Sequence, residues 1–277
     1  MPLTYRIYNA DCRSMKELPM SSVDLVITSP PYFNVREYKG GEEGIGRPDD
    51  TLATWKNDML TVLKECERVL APGRLCVWNI GDIVSDEKRI PLGAILIMLG
   101  MEAGLEFREN IIWMKPEGAS TSSRYGLFIQ HPYPRYYNPN CITEYIIVFA
   151  KRGARVRTYA EKTKIDITKI PVDMKCDVWK INPVSNREDF NNEGVHHPAM
   201  FPMEIPKRLI TVYSHPGETV LDPFLGSGTT MRMALELKRN CIGYEISEEY
   251  IEQFIKPKLG TDIMRLDGTK IEIIKRA

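Results

Sequence analysis

The sequence carries no surplus of charge. Over 277 residues, 37 Lys and Arg balance 37 Asp and Glu, and only four histidines are present. A highly charged partner must therefore be met by a local cluster of side chains, because the molecule as a whole supplies no attracting field. No apolar run is long enough to span a bilayer. The start, Met1-Pro2-Leu3-Thr4-Tyr5-Arg6, lacks the apolar core of a signal peptide, so a cytoplasmic location is the expectation. The six cysteines (Cys12, Cys66, Cys76, Cys141, Cys176 and Cys241) include no Cys-x-x-Cys pair, which argues against zinc and suits reduced thiols. His196 and His197 are adjacent, without helical ligand spacing or a carboxylate cluster, so no metal site is expected. Internal repeats and low-complexity tracts are lacking as well.

What is present is enough apolar material, 43% of the chain, for one large α/β domain with an insertion. Tyr5 to Asn9 and Val23 to Ile27 have strand patterns, and Trp55 to Leu70 places Met59, Val62, Leu63, Cys66, Val69 and Leu70 on one helical face. Ala71-Pro72-Gly73 closes that helix, and Leu75 to Ile80 follows as a buried strand. Pro91 to Gly104 is a second apolar helix, with strands expected at Glu109 to Met114 and Glu144 to Ala150. This βαβ alternation indicates a mostly parallel sheet wrapped by helices. A helix from Met203 to Ser214 comes next, and alternation at Ile271, Ile273 and Ile274 suits an added edge strand.

Two stretches carry chemistry. The first, Thr28-Ser29-Pro30-Pro31-Tyr32, follows a buried strand, and its two prolines force an extended, stiff loop. That loop brings together the Ser29 hydroxyl, the Pro30 carbonyl and the Tyr32 ring. A hydroxyl and a carbonyl beside an aromatic face suit a planar group bearing an NH2, although an ordinary strand-ending turn has the same composition. The second stretch, Thr219-Val220-Leu221-Asp222-Pro223-Phe224-Leu225-Gly226-Ser227-Gly228-Thr229-Thr230, runs from a strand through glycines into a helix. Glycines there allow close backbone approach to a ligand. No Lys follows them, which argues against a P-loop, and a dehydrogenase would want Gly-x-Gly-x-x-Gly near the first strand, which is absent. A further strand, Asn240 to Tyr244, ends in Glu245, and an acid roughly 20 residues beyond a glycine-rich loop commonly binds a ribose diol.

Together these stretches resemble the S-adenosylmethionine-dependent DNA amino-methyltransferases, which methylate exocyclic amines of bases. In that family Ser-Pro-Pro-Tyr is the catalytic motif and Asp-Pro-Phe-x-Gly-Ser-Gly-Thr-Thr the cofactor motif. Their order here matches the permuted β group, as do Lys115-Pro116 and Thr143-Glu144-Tyr145. The resemblance implies a doubly wound, mostly parallel Rossmann-like α/β sheet, circularly permuted, with a small target-recognition insertion. It implies S-adenosylmethionine as cofactor and double-stranded DNA as partner, with a cognate restriction endonuclease in some settings. It implies Ser29, Pro30, Pro31 and Tyr32 at the reacting base. Cofactor contacts are implied at Asp11, Phe201, Pro202, Asp222, Phe224, Gly226, Ser227, Gly228, Thr229, Thr230 and Glu245. By position alone, Asp11 suits either a ligand contact or a helix N-cap.

The implied organisation is a catalytic half over residues 1–150, a recognition insertion over 151–195 acting with the loop 115–140, and a cofactor-binding half over 196–277. Arg124 and Arg135 stand among aromatics in that loop, and Arg155, Arg157, Lys162 and Lys164 belong to the most concentrated basic stretch, Lys151 to Lys169. Such residues suit phosphate contact and base stacking, and equally a solvated face. The glycine-rich segment Phe33 to Asp50 suits either a loop closing over a base or a plain surface loop. Ser-Pro-Pro-Tyr is associated in the family with N4 of cytosine more than with N6 of adenine. An enzyme acting on RNA or on protein glutamine, with Asn at the Ser29 position, and an inactive DNA-binding module are the competing readings.

Overall fold

The strands pack because both faces of the expected sheet are apolar. The computed structural model describes residues 3–34, 44–85, 88–116, 141–153, 165–166, 168–184, 202–259 and 269–275. The chain opens with β1 (Thr4–Asn9) and β2 (Val23–Thr28), then α1 (Leu52–Val69) and β3 (Leu70–Ile80). After a small hairpin of β4 (Ile83–Ser85) and β5 (Lys88–Ile90) come α2 (Leu92–Glu102), β6 (Glu106–Met114) and β7 (Thr143–Ala150). A turn of 3-10 helix (Val172–Lys175) leads to β8 (Val178–Lys180). The chain continues with α3 (Glu204–Tyr213), β9 (Thr219–Asp222), α4 (Thr229–Glu236) and β10 (Asn240–Tyr244). It ends with α5 (Glu248–Tyr250), a π-helical turn (Ile251–Ile255), α6 (Lys256–Leu259) and β11 (Lys270–Lys275).

Among the described residues, nine strands form one sheet in the order β11-β1-β10-β9-β2-β3-β7-β6-β8. Every neighbouring pair is parallel except those made by β7, which runs antiparallel to β3 and to β6. The doubly wound, mostly parallel sheet expected from the sequence is therefore present, and the C-terminal tail supplies an edge strand beside β1. Along β2, Val23 and Val26 enter one apolar cluster while Leu25 and Ile27 enter the other, so the strand is buried on both faces. α1 presents Trp55, Met59, Val62, Leu63, Cys66 and Val69 to the first cluster. Each such side chain contributes roughly 1.5–3 kcal/mol by leaving water. Thr51 caps this helix by accepting the Thr54 N–H at 3.1 Å. Among the described residues no helix is long and apolar enough to cross a membrane.

Some elements depart from the sequence pattern. β3 begins at Leu70, before the strand expected from Leu75, because the Gly73 N–H, on left-handed backbone at φ +74°, donates to the Lys151 carbonyl at 3.0 Å and keeps the segment beside the end of β7. Val23 pairs with Leu70 and Leu25 with Leu75, so the extra residues form a bulge. The hairpin of β4 and β5 is too short to show a period. Within the segment expected to be the insertion, Val178–Lys180 joins the central sheet beside β6, and Trp179 is buried. Arg208 of α3 fastens that region: its guanidinium donates to Asp173 at 2.9 Å and Glu204 at 2.8 Å and lies 5.3 Å from the centre of the Trp179 ring. The C-terminal helix widens to a π turn just before Pro257, which lacks the N–H that would bond to Gln253.

Candidate active site

β9 and β2 are neighbours, yet the helices that follow them pack on opposite faces. α1 belongs to the first apolar cluster and α4, through Met231, Met233 and Ala234, to the second. The chain thus diverges at the C-terminal ends of these two strands, the place where open α/β sheets form a ligand crevice. Ser29 follows β2 directly, and Gly226 belongs to the turn that leaves β9. One hydrogen bond pins them in relation to each other: the Thr28 hydroxyl donates to Asp222 Oδ1 at 2.7 Å, both residues being buried. Burial pushes the Asp222 carboxyl up to about 6, against the opposing pull of its hydrogen-bond donors.

The Ser-Pro-Pro-Tyr loop is held from behind. The Trp55 indole N–H donates to the Pro31 carbonyl at 2.9 Å, which ties the loop to the start of α1. That carbonyl is consequently engaged by the protein. Ser29 Oγ and the Pro30 carbonyl have no hydrogen-bond partner among the described residues, so both are open acceptors on a stiff backbone. Gly46, at φ +79°, packs against this loop; a Cβ there would lie 2.9 Å from the Tyr32 carbonyl and 3.1 Å from Pro31 Cβ. Only glycine combines that backbone with that approach. Asp50 secures the same turn by accepting the N–H groups of Gly46 at 2.8 Å and Arg47 at 3.0 Å.

In the turn after β9, Gly226 (φ +52°) and Gly228 (φ +79°) both take left-handed backbone, and Gly228 opens α4. The Gly226 N–H donates to Glu245 Oε2 at 2.8 Å and the Ser247 N–H to Oε1 at 2.8 Å. Glu245 therefore clasps the glycine turn to the end of β10. Burial pushes its carboxyl up to about 7, partly offset by those backbone donors. Ser227 and Thr230 are buried, and Ser227 Oγ lies 3.1 Å from the Thr229 hydroxyl. Phe224 is half-buried and meets Trp78 edge-on at 6.0 Å, while its N–H donates to Asp222 at 3.1 Å. Pro202 is buried ahead of α3.

Asp11 lies past β1, where its Oδ1 accepts the Arg13 N–H at 2.8 Å and its Oδ2 the Arg13 guanidinium. Arg13 in turn pairs with Asp58 at 2.9 Å, so Asp11 closes a local turn; residues 13–18 form no helix, and Asp11 is therefore not a helix N-cap. Burial pushes the thiols of Cys12, Cys66 and Cys241 upward, which makes them poor nucleophiles. Phe201, Arg124, Arg135, Arg155, Arg157, Lys162, Lys164, His196 and His197 lie outside the described residues, as does most of the glycine-rich segment after Phe33.

Sequence reasoning gave no role to Asn79, Lys115 or Glu144. The structure joins them to Tyr32 through one carboxylate: Glu144 accepts the Tyr32 hydroxyl at 2.7 Å and also the donors of Asn79 and Lys115. Asn79 follows Trp78, the residue paired with Thr28, and so stands level with Ser29; its Oδ1 is buried without a partner among the described residues. The available signal was the match of Lys115-Pro116 and Thr143-Glu144-Tyr145 to the permuted β group, which singled out Lys115 after β6 and Glu144 entering β7 without a role for either.

These features fit an adenosine-bearing methyl donor: two side-chain-free positions for close approach, and an acid whose oxygens retain accepting capacity beside them. Comparison with known proteins agrees. The N6/N4 family model described as DNA methylase matches residues 23–256. Type II methyltransferase M.MjaI of Methanocaldococcus jannaschii is 30% identical over 98% of this chain and 97% of its own length. Type II beta methyltransferase M.BslI of Bacillus sp. strain NEB-606 is 32% identical over 94% of this chain, which spans only 27% of that protein. Among solved structures, TTHA0409 of Thermus thermophilus superposes with a TM-score of 0.71 at 25% identity, covering 98% of this chain and all (100%) of that one. The same Thermus protein is also known complexed with S-adenosyl-L-methionine, at a TM-score of 0.70 and 24% identity, covering 99% of both chains. PvuII DNA methyltransferase, named as cytosine-N4-specific, shares the fold at a TM-score of 0.68 and 21% identity over 97% of this chain and 96% of its own. The chain belongs to the N6/N4 DNA methylase family. At the level of class it is an S-adenosylmethionine-dependent DNA methyltransferase.

Proposed function

We propose that this protein methylates the exocyclic N4 of cytosine in duplex DNA, within a specific sequence, on a base extruded from the helix. The observation that carries the reading is the open Ser29 hydroxyl beside the open Pro30 carbonyl. An exocyclic amine is a weak nucleophile because its lone pair is delocalised into the ring. Two acceptors that each take one N–H favour a tetrahedral nitrogen and aim its lone pair away from them. Tyr32 stacks on the extruded base. S-adenosylmethionine supplies an activated methyl group on a sulfonium. In this reading Glu245 accepts its ribose hydroxyls, while Asp222 and the turn from Gly226 to Thr230 shape the place of its methionine portion. The family resemblance assigns further cofactor contacts to Phe224, Pro202, Phe201 and Asp11. None of the cysteines is required, since transfer is direct.

The preference for cytosine rests on Ser29 being neutral, where many adenine enzymes carry an acid before Pro-Pro-Tyr. Expressing the protein in a host free of DNA methylation, then digesting the DNA to nucleosides, should yield N4-methylcytosine by mass spectrometry. N6-methyladenine as the sole product would overturn the choice of base and leave the reaction class standing.

Recognition, in this reading, belongs to the segment 151–195 acting with 115–140. Neutralising Arg155, Arg157, Lys162 and Lys164 together should weaken DNA binding. It should also lower the slope of log K against log salt by about 0.9 for each phosphate that is no longer neutralised. An unchanged slope in a fluorescence anisotropy titration would make the stretch a solvated face. The Type II designation of the relatives supports a cognate restriction endonuclease as a partner in the cell.

A further inference from the structure

Glu144 stands at the entry to β7 with its side chain 14% exposed, and it gathers donors from three other parts of the fold. The Tyr32 hydroxyl reaches Oε2 at 2.7 Å, Asn79 Nδ2 reaches the same oxygen at 2.8 Å, and Lys115 Nζ reaches Oε1 at 2.7 Å. These come from the Ser-Pro-Pro-Tyr loop, the end of β3 and the end of β6. Gly81, just beyond β3, makes room for the group: a Cβ there would lie 3.0 Å from Glu144 Cγ and 3.6 Å from Tyr32 Cε2. Lys115 is steadied by the Trp113 ring, 5.0 Å from its centroid.

A half-enclosed carboxylate is unfavourable unless donors satisfy it, and apolar side chains of similar volume would close the same space at less cost. The cluster therefore calls for a role beyond filling. One of its donors is the phenol placed against the base. The phenolic oxygen lies on the ring's own rotation axis, but its O–H prefers the plane of the ring, so a charge-assisted bond there anchors the far end of the ring and biases its plane. We infer that Glu144, with Lys115 as its counter-ion, is a positioning residue that holds the Tyr32 ring in the plane needed to stack on the extruded base. The inference rests on the methyl-transfer reading above. Glu144 acts through Tyr32, and Asn79 shares its oxygen so that the carboxylate cannot swing away.

The test is a double-variant cycle of Tyr32→Phe and Glu144→Gln. Single-turnover methyl transfer is measured with tritiated S-adenosylmethionine on unmethylated plasmid DNA, alongside thermal melting and cofactor calorimetry. Each single variant should slow transfer by on the order of 10- to 100-fold while binding the cofactor as the parent does. The double variant should be no slower than the slower single variant, because both changes remove the same bond. Additive losses, or unimpaired transfer by Tyr32→Phe, would overturn the inference and leave methyl transfer intact. Glu144→Gln that melts early or loses cofactor, paired with a fully active Tyr32→Phe, would reduce Glu144 to a structural role. A parent protein that transfers no methyl group would overturn the methyl-transfer reading itself, and the inference with it.

Discussion

Ser29→Ala should lower single-turnover methyl transfer by on the order of 10²–10³-fold, the loss seen when one preorganised hydrogen-bond partner of a reacting group is removed. The expectation follows from what the hydroxyl does not do. It supports no strand and bonds to no described residue, while the loop is secured by Thr28 on Asp222 and by Trp55 on Pro31. Removing it leaves the fold and the cofactor crevice in place and leaves the amine with one acceptor, the Pro30 carbonyl. Tyr32→Ala should cost about 1–3 kcal/mol of base stacking, and it also takes a donor from Glu144. Circular dichroism melts and cofactor calorimetry separate these losses from unfolding. Parent-level transfer by Ser29→Ala would remove the hydroxyl from the chemistry.

Cofactor affinity should rise with pH and level off near the Glu245 value of about 7. Burial raises that carboxyl from its ordinary 4.5, and Asp222 rises from 3.8 to about 6 for the same reason. Both folded values lie above the unfolded ones, so between them the folded chain holds more protons than the unfolded chain. Stability without cofactor therefore declines as pH climbs from about 4 to 7, because burial of the charged forms is progressively felt. A ribose diol donates to the ionised carboxylate and opposes that decline. Below pH 7 the affinity should fall by up to about tenfold per unit, with protons released on binding. Glu245→Gln should weaken binding by about 1–3 kcal/mol and remove the part of the pH dependence centred near 7, since the amide does not titrate, leaving only that of Asp222 near 6. Calorimetry in buffers of differing ionisation enthalpy reads both effects. A pH profile unchanged in a folded Glu245→Gln protein would remove Glu245 from the ribose.

Much of the fold was legible in the chain because its signals are local. The spacing from Trp55 to Val69 fixes α1, the β-branched run of Val23 to Thr28 fixes β2, and the glycines fix a left-handed turn at Gly226 and Gly228. The two motifs also declared themselves, since consecutive prolines and a Gly-x-Gly restrict the backbone wherever they occur. Short elements escaped: β4, β5 and β8 are three residues each, too brief for a period to accumulate. Only the tertiary structure decided the long-range pairings. With β9 beside β2, the Thr28 hydroxyl finds Asp222 across a separation of 194 residues. The fold likewise brought Glu144 to Tyr32, 112 residues away, and engaged the Pro31 carbonyl with Trp55 while leaving that of Pro30 open. Backbone preference depends on a few neighbouring residues, whereas which polar atoms are satisfied depends on elements whose meeting is set by the packing of the whole sheet.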